Sequence, residues 1–239
     1  TYALAYAGLS GCYSMWGANY APPHETFPLA KAAAMKALEL DDTLAEGYTV
    51  LAAVQLFYDW DWEGCGKSVK RALELNPNSS NVHIIYSYYL NLTGQHESSL
   101  REINRAMELD PLALVINVDV GIRYYILRRY DQAIRIYESV LDFDSDPMFV
   151  SYWLWWAYQQ NGDYDKALTT FRKLLPASDV PADSVRHKEK PGREGYRSFL
   201  QEELTRIRKS SLRGILSNMD VAAICVFLGD HNQAFEWLE

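Results

Sequence analysis

The sequence contains one run of acids whose spacing suits metal chemistry. In "DFDSDP", Asp142, Asp144 and Asp146 lie two residues apart, as the first ligands of an EF-hand calcium loop do. Pro147, however, stands where that loop needs glycine for its sharp turn, and Trp153 stands where it needs a bidentate glutamate. We therefore interpret the run as an acidic turn after a helix and predict no metal site.

Other candidate catalytic groups are equally incomplete. The acids of "DWDW" at 59–62 would need a cleft and a perturbed carboxyl group to act as an acid–base pair. A bulged turn between two helices, with its tryptophans packed on a neighbour, is the favoured interpretation. The five histidines have no HExxH or HxxxH spacing, and His83 begins a helical segment, so solvated or capping roles are expected. No GxxxxGK, GxGxxG or GxSxG motif occurs. We predict no catalytic residues, no cofactor and no enzyme activity.

Composition restricts the class of partner and compartment. The net charge is −8, whereas nucleic-acid binding needs a concentrated basic surface. Three cysteines without CxxC spacing argue against a disulfide framework and predict a reducing, cytoplasmic location. No apolar run has the 18–20 residues of a membrane span. The chain starts at Thr1 and stops inside a helical pattern, so we expect a fragment whose effector lies outside it.

An internal repeat organises the chain. The phrase "RALELNPNSS" returns as "KALELDDTLA", "RAMELDPLAL" and, less clearly, "SVLDFDSDPM". Their aligned positions are Ala37, Ala72, Ala106 and Val140, which are 35, 34 and 34 residues apart. A fixed period of this length indicates a stack of supersecondary units.

Each unit reads as two amphipathic helices joined by a turn. In residues 80–110, "NVHIIYSYYLNL" and "SSLREINRAMEL" both have a helical apolar period, and "TGQHE" separates them. Gly94 suits the left-handed conformation at a helix end, and Pro111 cannot continue the second helix. The units are therefore predicted to be antiparallel helix hairpins.

This pattern resembles the tetratricopeptide repeat (TPR) family. The first helices carry a large apolar residue beside a small one: Leu9 and Ser10, Leu51 and Ala52, and Val120 and Gly121. The second helices carry spaced alanines with aliphatic or aromatic residues: Ala30, Ala34 and Ala37; Val69 and Ala72; and Ala167 and Phe171. The resemblance implies an all-α, right-handed superhelical solenoid of five to six repeats. Trp155 departs from it, because the fifth repeat should have a small residue there, which implies wider or shifted packing.

The domain organisation follows from the repeat. Residues 1–175 are assigned to repeats one to five. The polar segment "PASDVPADSVRHKEKPGREG", 176–195, is predicted to be a mobile linker. Residues 196–239 are interpreted as a helix followed by a truncated sixth repeat.

A narrower resemblance concerns "YALAYAGLSGCY", "YDWDWEG" and "LGDHNQAFEWLE". These runs look like a bacterial subclass of TPR regions that is attached to winged-helix regulators, adenylate or guanylate cyclases, or Ser/Thr kinases. The resemblance implies a regulatory or signalling module.

The resemblance also implies that the first helices line a concave, partner-binding groove. Phasing from the motif gives its candidate residues as Ile84, Tyr88, Asn91, Val118, Ile122, Tyr125, Phe149, Tyr152, Trp156 and Gln159. Aromatic side chains beside amides fit a peptide, a helix or another domain of the same chain. The same aromatics would alternatively be core between repeats, or be covered by 176–195. Two other functions remain open: a structural module that forms a weak homodimer through its repeat ends, and an enzyme built on a helical array.

Overall fold

The computed structural model describes residues 2–142, 148–175, 191–209 and 217–238, and its regular structure in these ranges is entirely helical. The helices are α1 (Tyr2–Asn19), α2 (Pro23–Leu40), α3 (Ala45–Val54), α4 (Trp62–Leu75), α5 (Ser80–Leu92), α6 (His96–Leu109), α7 (Leu114–Ile126), α8 (Tyr130–Leu141), α9 (Met148–Asn161), α10 (Tyr164–Leu174), α11 (Gly192–Lys209), α12 (Asn218–Leu228) and α13 (His231–Leu238). One π-helical turn, Gln55–Asp59, follows α3. The expected all-α class is confirmed.

The first compact unit, residues 1–127, is built from helix hairpins. α1 packs on α2, α3 on α4 and α5 on α6, and α3 also contacts both α1 and α5. The alanines that the repeat predicts at the helix contacts are fully buried, among them Ala34, Ala72 and Ala106. Small side chains at these positions let the helices approach closely, so the predicted hairpins are present. The turn after α5 uses Gly94 at a φ of 80°, which a glycine adopts without strain.

The second compact unit, residues 128–239, contains α8 to α13. Its core includes Trp155, which is fully buried at the position where the repeat would have a small residue. The Trp155 ring lies 4.4 Å from that of Trp156 and 4.6 Å from that of Phe171, and its Nε1 donates to the Tyr196 hydroxyl at 2.6 Å. Because Tyr196 belongs to α11, this helix is part of the core of the unit.

Several sequence boundaries fall differently in the structure. α11 begins at Gly192, so residues 192–195 are helical rather than part of a linker, because the helix-breaking Pro191 lies just before the helix and not inside it. Residues 176–190 lie outside the described residues, as do Asp144, Asp146 and Pro147 of the acidic turn. The compact units divide between Leu127 and Arg128, inside the fourth predicted repeat, while the division at residues 175 and 195 stays a prediction.

His83 is neither solvated nor a helix cap, contrary to the sequence interpretation. It is buried, with Nδ1 at 2.7 Å from Glu102 Oε2 and Nε2 at 3.0 Å from the carbonyl oxygen of Pro77. Glu102 lies 19 residues after His83, and Pro77 lies 6 residues before it, so the sequence immediately around His83 does not indicate either contact. His83 therefore fastens α5 to α6 and to the turn before it.

Among the described residues, no three His, Cys, Asp or Glu side chains are grouped so that they could hold a metal ion. None of the described helices combines the length and the apolar character that crossing a bilayer requires.

Candidate partner-binding cleft

A cleft of about 660 Å³ lies within unit 1, between the first helices of three successive hairpins. Pro23 and Phe27, at the start of α2, also reach it. The other lining residues come from α1 (Gly11, Ser14, Met15 and Gly17), from α3 and the π-helical turn (Thr49, Val50, Ala53 and Phe57), and from α5 (Asn81, Ile84, Ile85 and Tyr88).

The lining is apolar and carries no acidic or basic side chain. Phe27, Phe57 and Tyr88 supply aromatic surface, and Val50 and Ile84 supply aliphatic surface. The Thr49 hydroxyl already donates to the carbonyl of Ala45 at 2.7 Å, so it is not available as a donor within the cleft. The arrangement can take up apolar side chains by removing them from water, at roughly 25 cal/mol per Å² buried.

The π-helical turn positions Phe57 at the cleft. The turn is followed by Trp60, whose φ of 57° is left-handed, and the amide of Asp61 then donates to the carbonyl of Gln55 at 2.9 Å. Phe57 meets the Tyr88 ring edge to face, with centroids 5.4 Å apart. Single turns of π-helix are rare and are frequent at functional sites.

The acids of "DWDW" have structural roles. Asp59 pairs with Lys31 at 2.6 Å, and Asp61 begins α4 by accepting from the amide of Gly64 at 2.8 Å. The bulged turn is present, but the expectation that both tryptophans pack on a neighbour is wrong: Trp60 is 67% exposed and Trp62 is 37% exposed. The left-handed backbone conformation of Trp60, at a φ of 57°, is not indicated by the sequence pattern.

Tyr88 forms one wall of the cleft and is held from behind by buried polar groups. Its hydroxyl donates to Asp119 Oδ1 at 2.8 Å, and the Arg123 guanidinium lies 4.4 Å from its ring centroid. Arg123 Nε donates to the hydroxyls of Ser87 and Ser99, both at 3.0 Å. This polar cluster fixes the orientation of the Tyr88 ring.

Burial raises the pKa values of both Tyr88 and Asp119. It raises the pKa of the Tyr88 phenol, and the neighbouring Asp119 carboxylate adds to the rise. Burial also raises the pKa of Asp119, while the Tyr88 hydrogen bond and the Arg123 charge oppose it. Tyr88 therefore acts as a neutral donor, suited to positioning and not to acid–base chemistry.

The predicted groove residues of unit 1 separate into two groups. Ile84 and Tyr88 line the cleft. Asn91 does not, because its Oδ1 lies 2.9 Å from His96 Nδ1 at the turn between α5 and α6. On α7, Val118 is buried, and Ile122 and Tyr125 are half-buried outside the cleft lining.

Two of the four predicted groove residues of unit 2, Tyr152 and Gln159, are hydrogen-bonded to helices that follow α9 in the chain. Gln159 is buried and accepts from the Tyr196 hydroxyl of α11 at 2.7 Å. Tyr152 donates to Asp220 of α12, and Trp156 is buried. Phe149, by contrast, is 57% exposed. The motif phasing could not show this cover, because it treats every first helix as facing the same groove.

Sequence reasoning missed the residues of the first two hairpins. The signal was available: Thr49 and Ala53 stand 35 residues before Ile84 and Tyr88, the same step that separates Ala37 from Ala72. Gly11 stands a further 42 residues before Ala53 because of the insertion in the first repeat. Phe57 had no such signal, since its position depends on the π-helical turn.

Comparisons with known proteins agree with this architecture. Residues 156–175 match the family model of the tetratricopeptide repeat. Among solved structures, PilW, described as a widely conserved type IV pilus biogenesis factor, is similar with a TM-score of 0.61 at 16% identity, over 95% of this chain and 90% of PilW. PilF of Pseudomonas aeruginosa is similar with a TM-score of 0.59 at 16% identity, over 98% of this chain and 90% of that one.

A third similar structure is YrrB, described as a TPR protein with an unusual peptide-binding site. Its TM-score is 0.53 at 20% identity, over 79% of this chain and 92% of YrrB. No curated protein is significantly similar to this chain in sequence. Likenesses at these identities concern the fold, and they confirm the solenoid of helix hairpins.

Proposed function

We propose that this chain, which has the fold of tetratricopeptide-repeat proteins, is a noncatalytic interaction module that binds an apolar peptide segment or helix in the cleft of unit 1. The observation that carries the proposal is the cleft itself, which first helices of three successive hairpins line. Its volume of about 660 Å³ is within the range of roughly 300–1,000 Å³ that is usual for ligand sites.

The chemistry of the lining defines the partner. Phe27, Phe57 and Tyr88 are large, rigid anchors of the kind that dominate binding energies at interfaces. Without a lysine or arginine in the lining, a carboxylate placed there would lose its hydration without gaining a counterion. The preferred ligand is therefore an uncharged stretch with aromatic or aliphatic side chains, not a charged chain terminus.

The peptide-binding site described for YrrB supports a peptide ligand as a use of this architecture. The resemblance of "YALAYAGLSGCY" and "YDWDWEG" to TPR regions of bacterial regulators supports a regulatory or signalling role for the same site. The partner then belongs either to a separate protein or to another domain of the same polypeptide. All three cysteines are free thiols, which supports a reducing, cytoplasmic setting.

The test is a selection of peptides by phage display on the full chain. Selected peptides are then measured by isothermal titration calorimetry against two variants, Met15→Glu and Met35→Glu. Both methionines are exposed and lie in the first hairpin, but only Met15 lines the cleft. A bound apolar peptide would cover the new carboxylate without giving it a counterion, so Met15→Glu should weaken binding more than tenfold.

The control variant, Met35→Glu, should bind within about twofold of the parent chain, since its side chain stays in water. Selected peptides are expected to be apolar and uncharged. The proposal is wrong if the two variants bind alike, or if peptides enriched on the parent chain are charged and keep their affinity for Met15→Glu. Thermal unfolding of both variants confirms that each is folded.

A further inference from the structure

Helix α1 presents an apolar face that is unusual for the surface of a folded domain. Its 18 residues, Tyr2–Asn19, include no charged side chain. Ala5, Leu9, Cys12 and Trp16 share one side of the helix by their spacing and are all exposed, Trp16 by 55%. A helix that is apolar all round is normally buried all round.

The internal repeat shows what kind of element belongs on this face. The first hairpin aligns with the second at a distance of 42 residues, and burial follows the alignment closely. Three buried residues of α1 correspond to three buried residues of α3: Ala3 to Ala45, Ala7 to Thr49, and Ser10 to Ala52.

In α3, the aligned face is covered by α2, the second helix of the preceding hairpin. A Cβ on Gly47 would lie 2.8 Å from Leu38 Cδ2. Val54 is fully buried against Phe27 and Ala30. Tyr58, in the π-helical turn, stacks on Phe27 at 5.4 Å with the planes 5° apart. A helix that contacts Gly47, Val54 and Tyr58 thus offers Phe27, Ala30 and Leu38 on one side.

The counterparts of Gly47, Val54 and Tyr58 in α1 are Ala5, Cys12 and Trp16, the exposed residues. The same face recurs in α5, where Val82, the counterpart of Gly47, is fully buried in one cluster with Val69 and Ala72 of α4. Two of the three first helices in unit 1 that begin a hairpin therefore bury this face against a second helix, and α1 exposes it.

We propose that Ala5, Leu9, Cys12 and Trp16 form a docking surface for an amphipathic helix of the α2 type, the second helix of a partner's helix hairpin, which would contact α1 through an uncharged face. The charge-free face of α1 requires a partner face without charge, since a charge there would be desolvated without a counterion. The surface shares no residue with the cleft, so the two can be tested separately.

The first experiment places an α2-type helix beside this face within the same chain. A second copy of residues 22–44, which contains α2 and its connection, is joined directly before Ala3 of the chain, as the native copy precedes Ala45. Cys12 is the reporter, because it is exposed whereas Cys65 and Cys225 are buried. The rate of alkylation of Cys12 should fall at least tenfold in the extended chain.

The matched control carries Phe27→Glu and Ala30→Glu in the added copy only. Its Cys12 should react as fast as in the parent chain. Equal rates in the two extended chains, whether both slow or both fast, would overturn the proposal. Circular dichroism and thermal unfolding establish that both are folded.

A second arm needs no fusion. The synthetic peptide of residues 23–40, and the same peptide with Phe27→Glu and Ala30→Glu, are added at increasing concentration to the full chain. Saturable protection of Cys12 by the first peptide alone supports the proposal, and no protection by either peptide overturns it. Protection that instead grows with the concentration of the unmodified chain, and is lost in Trp16→Glu, would assign the face to a second copy and also overturn it.

Discussion

Tyr88 joins two environments at the scale of a single residue. Its ring lines an apolar cleft, while its hydroxyl reaches a buried carboxylate behind that wall. Buried polar groups are costly unless they are hydrogen-bonded. The Asp119 carboxylate accepts from Tyr88, and Arg123 Nε donates to Ser87 and Ser99, whereas the buried Arg123 Nη2 makes no hydrogen bond. The Tyr88 ring in the cleft wall is thus held in place by Asp119 and Arg123, which do not line the cleft.

Asp119 should make the stability of unit 1 depend on pH. Because its pKa is raised in the folded state, the stabilisation is complete below the ordinary carboxyl pKa of about 3.9 and is lost as pH rises through the folded-state pKa. Asp119→Asn keeps an oxygen that accepts from Tyr88 but cannot ionise. Relative to the parent, its free energy of unfolding should therefore increase from pH 4 to pH 7 in urea titrations.

Asp41→Asn is the control of opposite sign. Hydrogen bonds from Thr43 lower the pKa of Asp41, so its stabilisation is present above the ordinary pKa and lost as pH falls. Relative to the parent, this variant should therefore lose stability as pH rises towards about 4 and change little from there to pH 7. Parallel pH profiles for the two variants would contradict the assigned role of Asp119.

At the scale of an element, α11 packs against α9, the first helix of the fifth predicted repeat. Its Tyr196 accepts from Trp155 and donates to Gln159, both on α9, and its ring stacks near that of Tyr164 at 5.7 Å. A helix after a polar segment thus fills the side of α9 that would otherwise face a groove. In unit 2 the aromatic residues of α9 serve packing more than recognition.

Tyr196→Phe should destabilise unit 2 by about 1–3 kcal/mol, because it leaves the buried Trp155 Nε1 and Gln159 Oε1 without their shared partner. Tyr164→Phe is the matched control, since the hydroxyl that it removes is not part of this chain of bonds. Urea unfolding followed by tryptophan fluorescence measures both variants. Equal stability losses would show that the Tyr196 hydroxyl has no special role.

At the scale of the whole molecule, the charged residues lie outside the cleft lining. The chain carries a net charge of −8, yet the cleft lining carries no acidic or basic side chain. Peptide binding should therefore depend little on ionic strength: between about 0.05 M and 0.5 M NaCl, the Kd of a selected peptide should change less than about threefold. A tenfold weakening by salt in calorimetric titrations would instead indicate that surface charges carry the recognition.

Much of the architecture could be predicted from spacing alone. Alanines at 37, 72 and 106 mark helix contacts because only a small side chain fits where two helix backbones approach, and all three are fully buried. Helix ends at Gly94 and before Pro111 follow from local backbone preference. Of the ten predicted groove residues, Ile84 and Tyr88 line the cleft, since they share the period of the hairpins around them.

The sequence by itself determined the hairpins, their period and the uncharged face of α1, because helix propensity, side-chain size and apolar period act locally and repeat. Only the tertiary structure decided which faces are covered. His83 and Gln159 are buried through contacts with segments that are distant in sequence. Phe57 lines the cleft because of one irregular, π-helical turn. Such contacts leave no periodic signal, because each is made once.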